Sequence, residues 1–113
     1  MSTFAEDIET AADGPILGVV IGESGWGNGW GEEGYNEEGK VIDWSMRGRV
    51  LDWGWARPLL DYKYGTEYGS PECHSIYAWT ETSVIFVAQY DGSTWLNSIP
   101  RNPTDCRPTM PGG

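Results

Sequence analysis

The second half of the chain restricts the fold most, because three apolar-rich segments are separated there by two pairs of turn-forming residues. Residues 75–79, 84–90 and 94–99 are rich in aromatic and β-branched side chains, which is typical of β-strands. Residues 81–82 connect the first two segments and residues 91–92 connect the last two. The pair Asp-Gly at 91–92 is typical of a type I′ turn. Because two-residue turns fix the register, the sequence predicts an antiparallel meander.

The same turns predict which residues share a face of the sheet. The expected pairs are Tyr90 with Ser93, Val87 with Leu96, Val84 with Ile99, Trp79 with Val84 and Ile76 with Val87. One face then collects Ile76, Ala78, Ile85, Val87 and Leu96, and the other collects Tyr77, Trp79, Val84, Phe86, Tyr90, Trp95 and Ile99. We expect the aromatic face to be buried as core. The alternative is an open platform on which a flat ligand such as a base or a sugar stacks.

The N-terminal residues predict a short helix over 3–12, followed by a strand. Thr3 is the expected N-cap and Glu6 completes a capping box, while Gly14 and Pro15 end the helix. Residues 16–21 form a continuous apolar run of β-branched character, which is typical of a strand buried on both faces. We expect this strand at the centre of the sheet.

The middle of the chain contains a long segment that fits no regular element. Residues 22–39 hold seven glycines, five glutamates and three aromatic residues, which predicts a long loop with a functional role. Beyond it, residues 41–44 and 50–53 repeat the pattern Val-aliphatic-Asp-Trp, and we expect two short strands there. A helical turn is expected to open at Pro58; a single helix over 53–62 is the alternative, with Pro58 in its interior.

Together these elements predict a single α+β domain over residues 1–103. Its small antiparallel sheet has about 4–6 strands, with an N-terminal helix, one short helical turn and the long Gly/Trp-rich loop at 22–39. Residues 104–113 are expected to form an extended or disordered tail, because the end of the chain is rich in proline and closes on two glycines.

Charge is distributed unevenly along the 113 residues. The chain has 17 acidic and 7 basic residues, a net charge of −10. Residues 1–39 hold nine acids and no base, whereas the remainder is close to neutral. Such a chain repels the phosphate backbone, so we expect no direct binding to nucleic acid. An acidic end favours basic partner proteins, including proteins that themselves bind nucleic acid.

Catalytic and metal-binding patterns are weak. Cys73 and His74 are adjacent, so on a strand they point to opposite faces and cannot form a hydrogen-bonded dyad without a bulge; an enzyme that uses this pair is the remaining alternative. A zinc site built from Cys73, His74, Asp105 and Cys106 would lack the usual ligand spacing. We therefore expect no enzyme, no metal and no cofactor. The acidic N-terminus lacks the features of a secretory signal, and no apolar stretch is long enough to span a membrane, which favours the cytoplasm and two free thiols.

Two surfaces are candidates for binding. The first is the Gly/Trp-rich loop, whose aromatic residues would anchor a partner protein; the alternative is that these rings complete the core. Its expected contact residues are Glu23, Trp26, Trp30, Glu32, Glu33, Tyr35, Glu37 and Glu38. The second is the aromatic sheet face, sequestering a nucleotide-like signal. Its expected contact residues are Trp79, Tyr90, Trp95 and Arg101, with Arg47, Arg49 and Arg57 as further partners for a phosphate.

Three stretches carry a resemblance to known proteins: residues 90–94, residues 99–103 and the ending Met-Pro-Gly-Gly at 110–113. In these stretches, and in its size and acidity, the chain resembles small phage-encoded proteins that inhibit host defence, a group that includes anti-CRISPR proteins and DNA mimics. The resemblance implies a non-enzymatic inhibitor in the cytoplasm of a bacterial host. It carries over no site residue. The acidic charge of residues 1–39, by contrast, predicts the partner, a basic, nucleic-acid-handling host protein that the chain would block.

Overall fold

The computed structural model describes residues 2–24, 44–65, 73–90 and 93–108. As the sequence predicts, the fold is α+β, with two helices and a four-stranded antiparallel sheet in these residues. The elements are α1 (Phe4–Ala11), β1 (Gly18–Ser24), α2 (Trp53–Leu60), β2 (His74–Trp79), β3 (Ser83–Tyr90) and β4 (Ser93–Pro100), with a 3-10 turn over Trp44–Met46.

The sheet has the strand order β1-β2-β3-β4, and its register confirms the predicted meander. Val84 pairs with both Trp79 and Ile99, and Tyr90 pairs with Ser93. The β2–β3 and β3–β4 connections thus have the lengths predicted from the two-residue turns. Residues 91–92, predicted as a type I′ turn, lie outside the described residues.

Helix α1 begins where the capping box predicts. The Thr3 hydroxyl accepts a hydrogen bond from the Glu6 N–H at 3.2 Å, and the Glu6 carboxylate accepts from the Thr3 N–H at 2.8 Å. Phe4 and Ile8 lie one turn apart on the face that packs into the core, and both are fully buried. Local chemistry and packing therefore agree on this helix.

Strand β1 lies at one end of the sheet, so the prediction of a central position is wrong. The outer edge of this apolar strand is instead covered by a later segment of the chain. Val19 and Leu51 exchange backbone hydrogen bonds of 3.0 and 2.8 Å, and the Gly48 N–H donates to the Ile21 carbonyl at 3.0 Å. Gly48 has a φ of 75°, which a residue with a side chain rarely adopts.

Helix α2 is continuous through Pro58, so the predictions of a strand at 50–53 and of a helical turn opening at Pro58 are wrong. Only Leu51 forms a β-bridge, and the 3-10 turn begins at Trp44; residues 41–43 lie outside the described residues. Asp52 caps the helix by accepting a hydrogen bond from the backbone of its first turn, and Ala56 is buried in the core. Capping and burial outweigh the cost of an interior proline.

One face of the sheet, hereafter the inner face, carries the core together with α1, α2 and the segment after α2. The Phe4 ring lies 5.5 Å from the Tyr62 ring and 5.1 Å from the Tyr64 ring, which joins that segment to α1. The buried inner-face residues are Val19, Ile21, His74, Ile76, Ala78 and Ile85. Both helices therefore cover the same side of the sheet.

Candidate binding surface

The opposite side of the sheet, hereafter the outer face, stays in contact with solvent. Tyr77 is 58% exposed, Ile99 53% and Trp95 37%. Burial of this face as core is therefore the wrong prediction for these three side chains. By register the outer face includes the half-buried or exposed residues Val20, Ser75, Tyr77, Trp79, Val84, Phe86, Trp95, Asn97 and Ile99, and also Ala88, which is buried beside Trp95.

A shallow groove of about 300 Å³ runs across the outer face between β1 and β3. Val20, Tyr77 and Phe86 line it, and at one end Gly22 lies against Ser75. A Cβ at Gly22 would come within 2.5 Å of the Ser75 hydroxyl, which donates to the Glu23 carbonyl at 2.9 Å. A side chain at Gly22 would therefore clash with Ser75 and disturb this hydrogen bond.

Aromatic and aliphatic groups extend the outer face beyond this groove. The Tyr77 and Trp79 rings lie edge to face, 6.4 Å apart. Past β1, Val50 lies over Gly18, which has no side chain to exclude it, and both Val50 and Leu17 are exposed. Sequence reasoning missed Val50 and Leu17 as surface residues, and the available signal was the single glycine inside an apolar run.

The strands that form most of the outer face are uncharged. β2, β3 and β4 contain no Asp, Glu, Lys or Arg. Serine and asparagine are among the polar residues between the rings, notably Ser75 and Asn97. This surface can therefore contact apolar groups and neutral hydrogen-bonding groups, and its strands offer no ion pair to a charged ligand.

The acids of the N-terminal segment accept hydrogen bonds within the fold. Glu9 accepts from both Arg57 and Trp53, and the bond with Arg57 holds the pKa of Glu9 below its ordinary value. The Asp7 carboxylate accepts a hydrogen bond from the Tyr64 hydroxyl. The pKa of Tyr64 is raised mainly by burial and, to a smaller extent, by this hydrogen bond. These hydrogen bonds tie α1 to its neighbours.

Asp13 joins the end of α1 to the β2–β3 turn. Its carboxylate accepts hydrogen bonds from the hydroxyls of Thr80, Thr82 and Ser83. Those from Thr80 and Thr82 are the main cause that lowers the pKa of Asp13 to about 2. Asp7, Glu9 and Asp13 thus have structural roles within the fold.

The partner-binding residues predicted from the sequence fall almost entirely outside the described residues. Glu23 is exposed at the end of β1, and residues 22–24, predicted as the start of the loop, belong to this strand. The other predicted residues, which the structure does not describe, are Trp26, Trp30, Glu32, Glu33, Tyr35, Glu37 and Glu38.

The predicted ligand-binding residues are spread over the sheet. Trp79 and Trp95 pair with β3 residues four positions apart and sit on strands to either side of β3. They are separated by about 13 Å along the strands and by two strand spacings, too far to hold one ring between them. Tyr90 ends β3, and Arg101 follows β4, where its guanidinium donates to the Thr80 carbonyl at 2.9 Å.

The arginines predicted to bind a phosphate lie outside the strands β2, β3 and β4. Arg57 lies on α2 and pairs with Glu9 at 2.9 Å and with Asp61 at 3.3 Å. Arg47 and Arg49 follow the 3-10 turn. A phosphate on the outer face would therefore lack a cation from β2, β3 or β4.

Cys73 and His74 lie inside the fold. His74 is fully buried on the inner face, where its Nδ1 lies 3.0 Å from the Tyr62 hydroxyl, and its backbone N–H donates to the same oxygen at 2.9 Å. Cys73 is buried and Cys106 is exposed, and both are free thiols, as predicted. The pair contributes to packing and to a buried hydrogen-bond network.

Within the described residues, no group of three or more His, Cys, Asp or Glu side chains is placed to hold a metal ion. The helices of the same residues are too short to cross a membrane. Comparison with protein-family models, characterised sequences and solved structures finds no match. Function is therefore argued from the surfaces of this chain.

Proposed function

We propose that this chain is a non-enzymatic binding protein that holds a partner protein against the outer face of its sheet. The observation that carries the proposal is the exposure of Tyr77, Trp95 and Ile99 on neighbouring strands, β2 and β4 with β3 between them, that contain no Asp, Glu, Lys or Arg. Apolar surface that remains in water costs free energy, and association recovers it. Tyrosine and tryptophan are also among the residues most enriched at binding hot spots.

The partner is a basic protein, selected by charge and held by apolar contact. The net charge of −10 gives the chain a negative field, while β2, β3 and β4 contain no Asp, Glu, Lys or Arg. Charges around an apolar contact surface raise the association rate and disfavour acidic partners. This division of roles needs no ion pair at the centre of the interface.

Biologically, the chain acts as a phage-type inhibitor in the bacterial cytoplasm, where it blocks a basic, nucleic-acid-handling host protein. The net charge and the resemblance to small phage-encoded inhibitors of host defence support this role. An acidic chain seated on a basic protein competes with phosphate groups for the same surface.

A second candidate function is sequestration of a small ligand on the outer face, favoured by the groove at Tyr77 and Phe86. Because the strands around the groove are uncharged, a neutral ring such as a sugar or a base suits it better than a nucleotide phosphate.

The test compares two outer-face variants, Tyr77→Ser and Ile99→Ser, with a matched control. Trp55→Ser removes a tryptophan that is 53% exposed on α2, a helix that covers the inner face. Each purified protein is immobilised and exposed to bacterial lysate, and bound proteins and small molecules are identified by mass spectrometry.

We expect a basic protein to be retained by the wild type and by Trp55→Ser, and to bind the outer-face variants about tenfold or more weakly, as for the loss of a hot-spot residue. Equal retention by all four proteins would contradict the proposal. A small molecule that co-purifies with the wild type and is lost from Tyr77→Ser would instead support the second candidate.

A further inference from the structure

The two edges of the sheet differ. The β1 edge is covered, because Val19 bonds with Leu51 and Ile21 accepts from Gly48. The β4 edge has no comparable cover: across the described ranges, no other backbone segment is hydrogen-bonded to Thr94 or Leu96. An open edge presents backbone donors and acceptors to any extended chain that approaches it.

Hydrogen bonds at the end of β4 indicate which of its groups point outward. The Arg101 N–H donates to the Thr82 carbonyl at 2.9 Å, so residue 101 faces β3. Orientation alternates along an antiparallel strand, so the odd-numbered residues of β4 bond to β3 and the even-numbered ones point away. Pro100, which has no N–H, fits an outward position.

The outward groups are unequal along the strand. At one end Pro100 offers no donor, and the Ser98 N–H already donates to the Asn97 side-chain oxygen at 2.9 Å. The N–H and C=O groups of Leu96, which is half-buried, and of Thr94, which is only 6% exposed and lines the adjoining groove, remain two residues apart on the same edge. The available site for strand addition is therefore the stretch centred on Trp95.

A groove of about 370 Å³ adjoins this stretch. It lies between α1 and β4 and is lined by Asp7, Thr10, Tyr64, Trp95 and Leu96, with Ala11 and Thr94. Its floor and edge can therefore receive a chain that continues the sheet beyond β4.

Charge identifies the chain that fits. Helix α1 carries Glu6, Asp7 and Glu9 and no base. Asp7 accepts from Ser2 and Tyr64, and a carboxylate has room for further donors. A second copy of this chain would bring its own acidic α1 to the same groove, where like charges repel. A segment with lysine or arginine directed toward α1 is complementary.

We propose that the free edge of β4 from Thr94 to Leu96 binds an extended basic segment of a partner protein, which adds to the sheet as a fifth strand. Apolar side chains of the segment lie beside Trp95 on the outer face, and alternate basic side chains face Asp7 across the groove. This inference rests on the proposed function, since it names how a protein partner is held.

The test uses a capped synthetic peptide of alternating valine and lysine as the probe. Amide hydrogen exchange is followed by NMR in the wild-type protein. The amide of Leu96 is expected to exchange faster than those of Trp95 and Asn97 in the free protein, and the amides of Leu96 and Thr94 are expected to slow on addition of the peptide. A peptide with methylated backbone nitrogens keeps its charge and loses its donors, so about tenfold weaker binding is expected.

Charge is tested separately. A peptide with glutamate in place of lysine is expected to leave the exchange of Thr94 and Leu96 unchanged. Asp7→Asn should weaken binding of the lysine peptide about threefold, whereas Asp105→Asn, an exposed change in the segment after β4, should leave it unchanged.

Three results would overturn the proposal. The first is unchanged amide exchange at Thr94 and Leu96 when the lysine peptide is added, and the second is equally strong binding of the methylated peptide. The third is protection of these amides that rises with protein concentration in the absence of peptide, which would indicate pairing between two copies. Tyr77→Ser separates this inference from the proposed function. If Tyr77→Ser fails to capture the partner but the lysine peptide does not protect the amides of Thr94 and Leu96, only the edge site is refuted. If the peptide protects these amides but Tyr77→Ser captures the partner as well as the wild type does, only the outer-face proposal is refuted.

Discussion

The inner and outer faces of the sheet are built from the same strands and differ in what covers them. Ile85 on the inner face is fully buried, whereas Ile99 on the outer face is 53% exposed. Two helices of eight residues each, about 12 Å long, lie against strands of up to about 27 Å. Such short helices suffice for one face, so the described fold has more apolar sheet surface than helical cover.

The largest effect is expected from the same substitution on the two faces. Ile85→Ala should reduce the free energy of unfolding by about 2–5 kcal/mol, because it leaves a cavity in the packed inner face. Ile99→Ala should cost less than about 1 kcal/mol, because this side chain already contacts water. Urea unfolding of both variants measures the difference, and similar losses would show that the outer face is also packed.

Polar groups extend the comparison. Tyr62→Phe should cost about 1–3 kcal/mol, because it leaves the buried Nδ1 and backbone N–H of His74 without the hydroxyl they contact. Tyr77→Phe also removes a tyrosine hydroxyl, but from the exposed outer face, and should change the free energy of unfolding by less than about 0.5 kcal/mol. Thermal unfolding of the two variants checks this, and a neutral Tyr62→Phe would mean that other groups satisfy His74.

The elements that the sequence predicts are those decided by local chemistry. The capping residues Thr3 and Glu6 define the start of α1, and two-residue turns define the pairing of Trp79, Val84 and Ile99. Each of these depends on residues that are close in the chain.

The features that the sequence does not predict depend on distant contacts. Pro58 argues against a helix locally, yet burial of Ala56 and Leu60 and capping by Asp52 maintain α2. An apolar run also reads the same for a central strand as for an end strand whose edge is covered by Leu51. The exposure of Tyr77 likewise depends on how much helix is available, which alternation along a strand does not encode.

A smaller, pH-dependent effect is expected where the inner layer is tied to the end of the sheet. The hydroxyls of Thr80 and Thr82 lower the pKa of Asp13 from 3.8 to about 2. Because the folded-state pKa lies below the unfolded-state value, the carboxylate stabilises the fold above about pH 3.8, and this stabilisation is lost as the pH falls toward 2. Asp13→Asn should therefore be less stable than the wild type near neutral pH.

Thermal unfolding between pH 2 and 6 measures this difference, which should narrow toward zero at the acid end. Asp105→Asn changes an exposed acid in the segment after β4 and serves as the control. A stability gap for Asp13→Asn that stays constant from pH 2 to 6 would mean that its carboxylate does not titrate in the folded state as proposed.

The smallest effect is expected from the ion pair between α1 and α2, and it tests whether the inner layer is held by charge or by packing. Arg57 bonds with Glu9 at 2.9 Å, but both side chains are about a third or more exposed, so solvent screens the pair. A double-mutant cycle of Glu9→Gln and Arg57→Gln should give a coupling of about 0.5 kcal/mol that falls further in high salt. A coupling as large as the loss in Ile85→Ala would show that charge holds the helices against the inner face. A weak, salt-sensitive coupling is what packing predicts, since Phe4, Ile8 and Leu60 already bury the contact surface of the two helices.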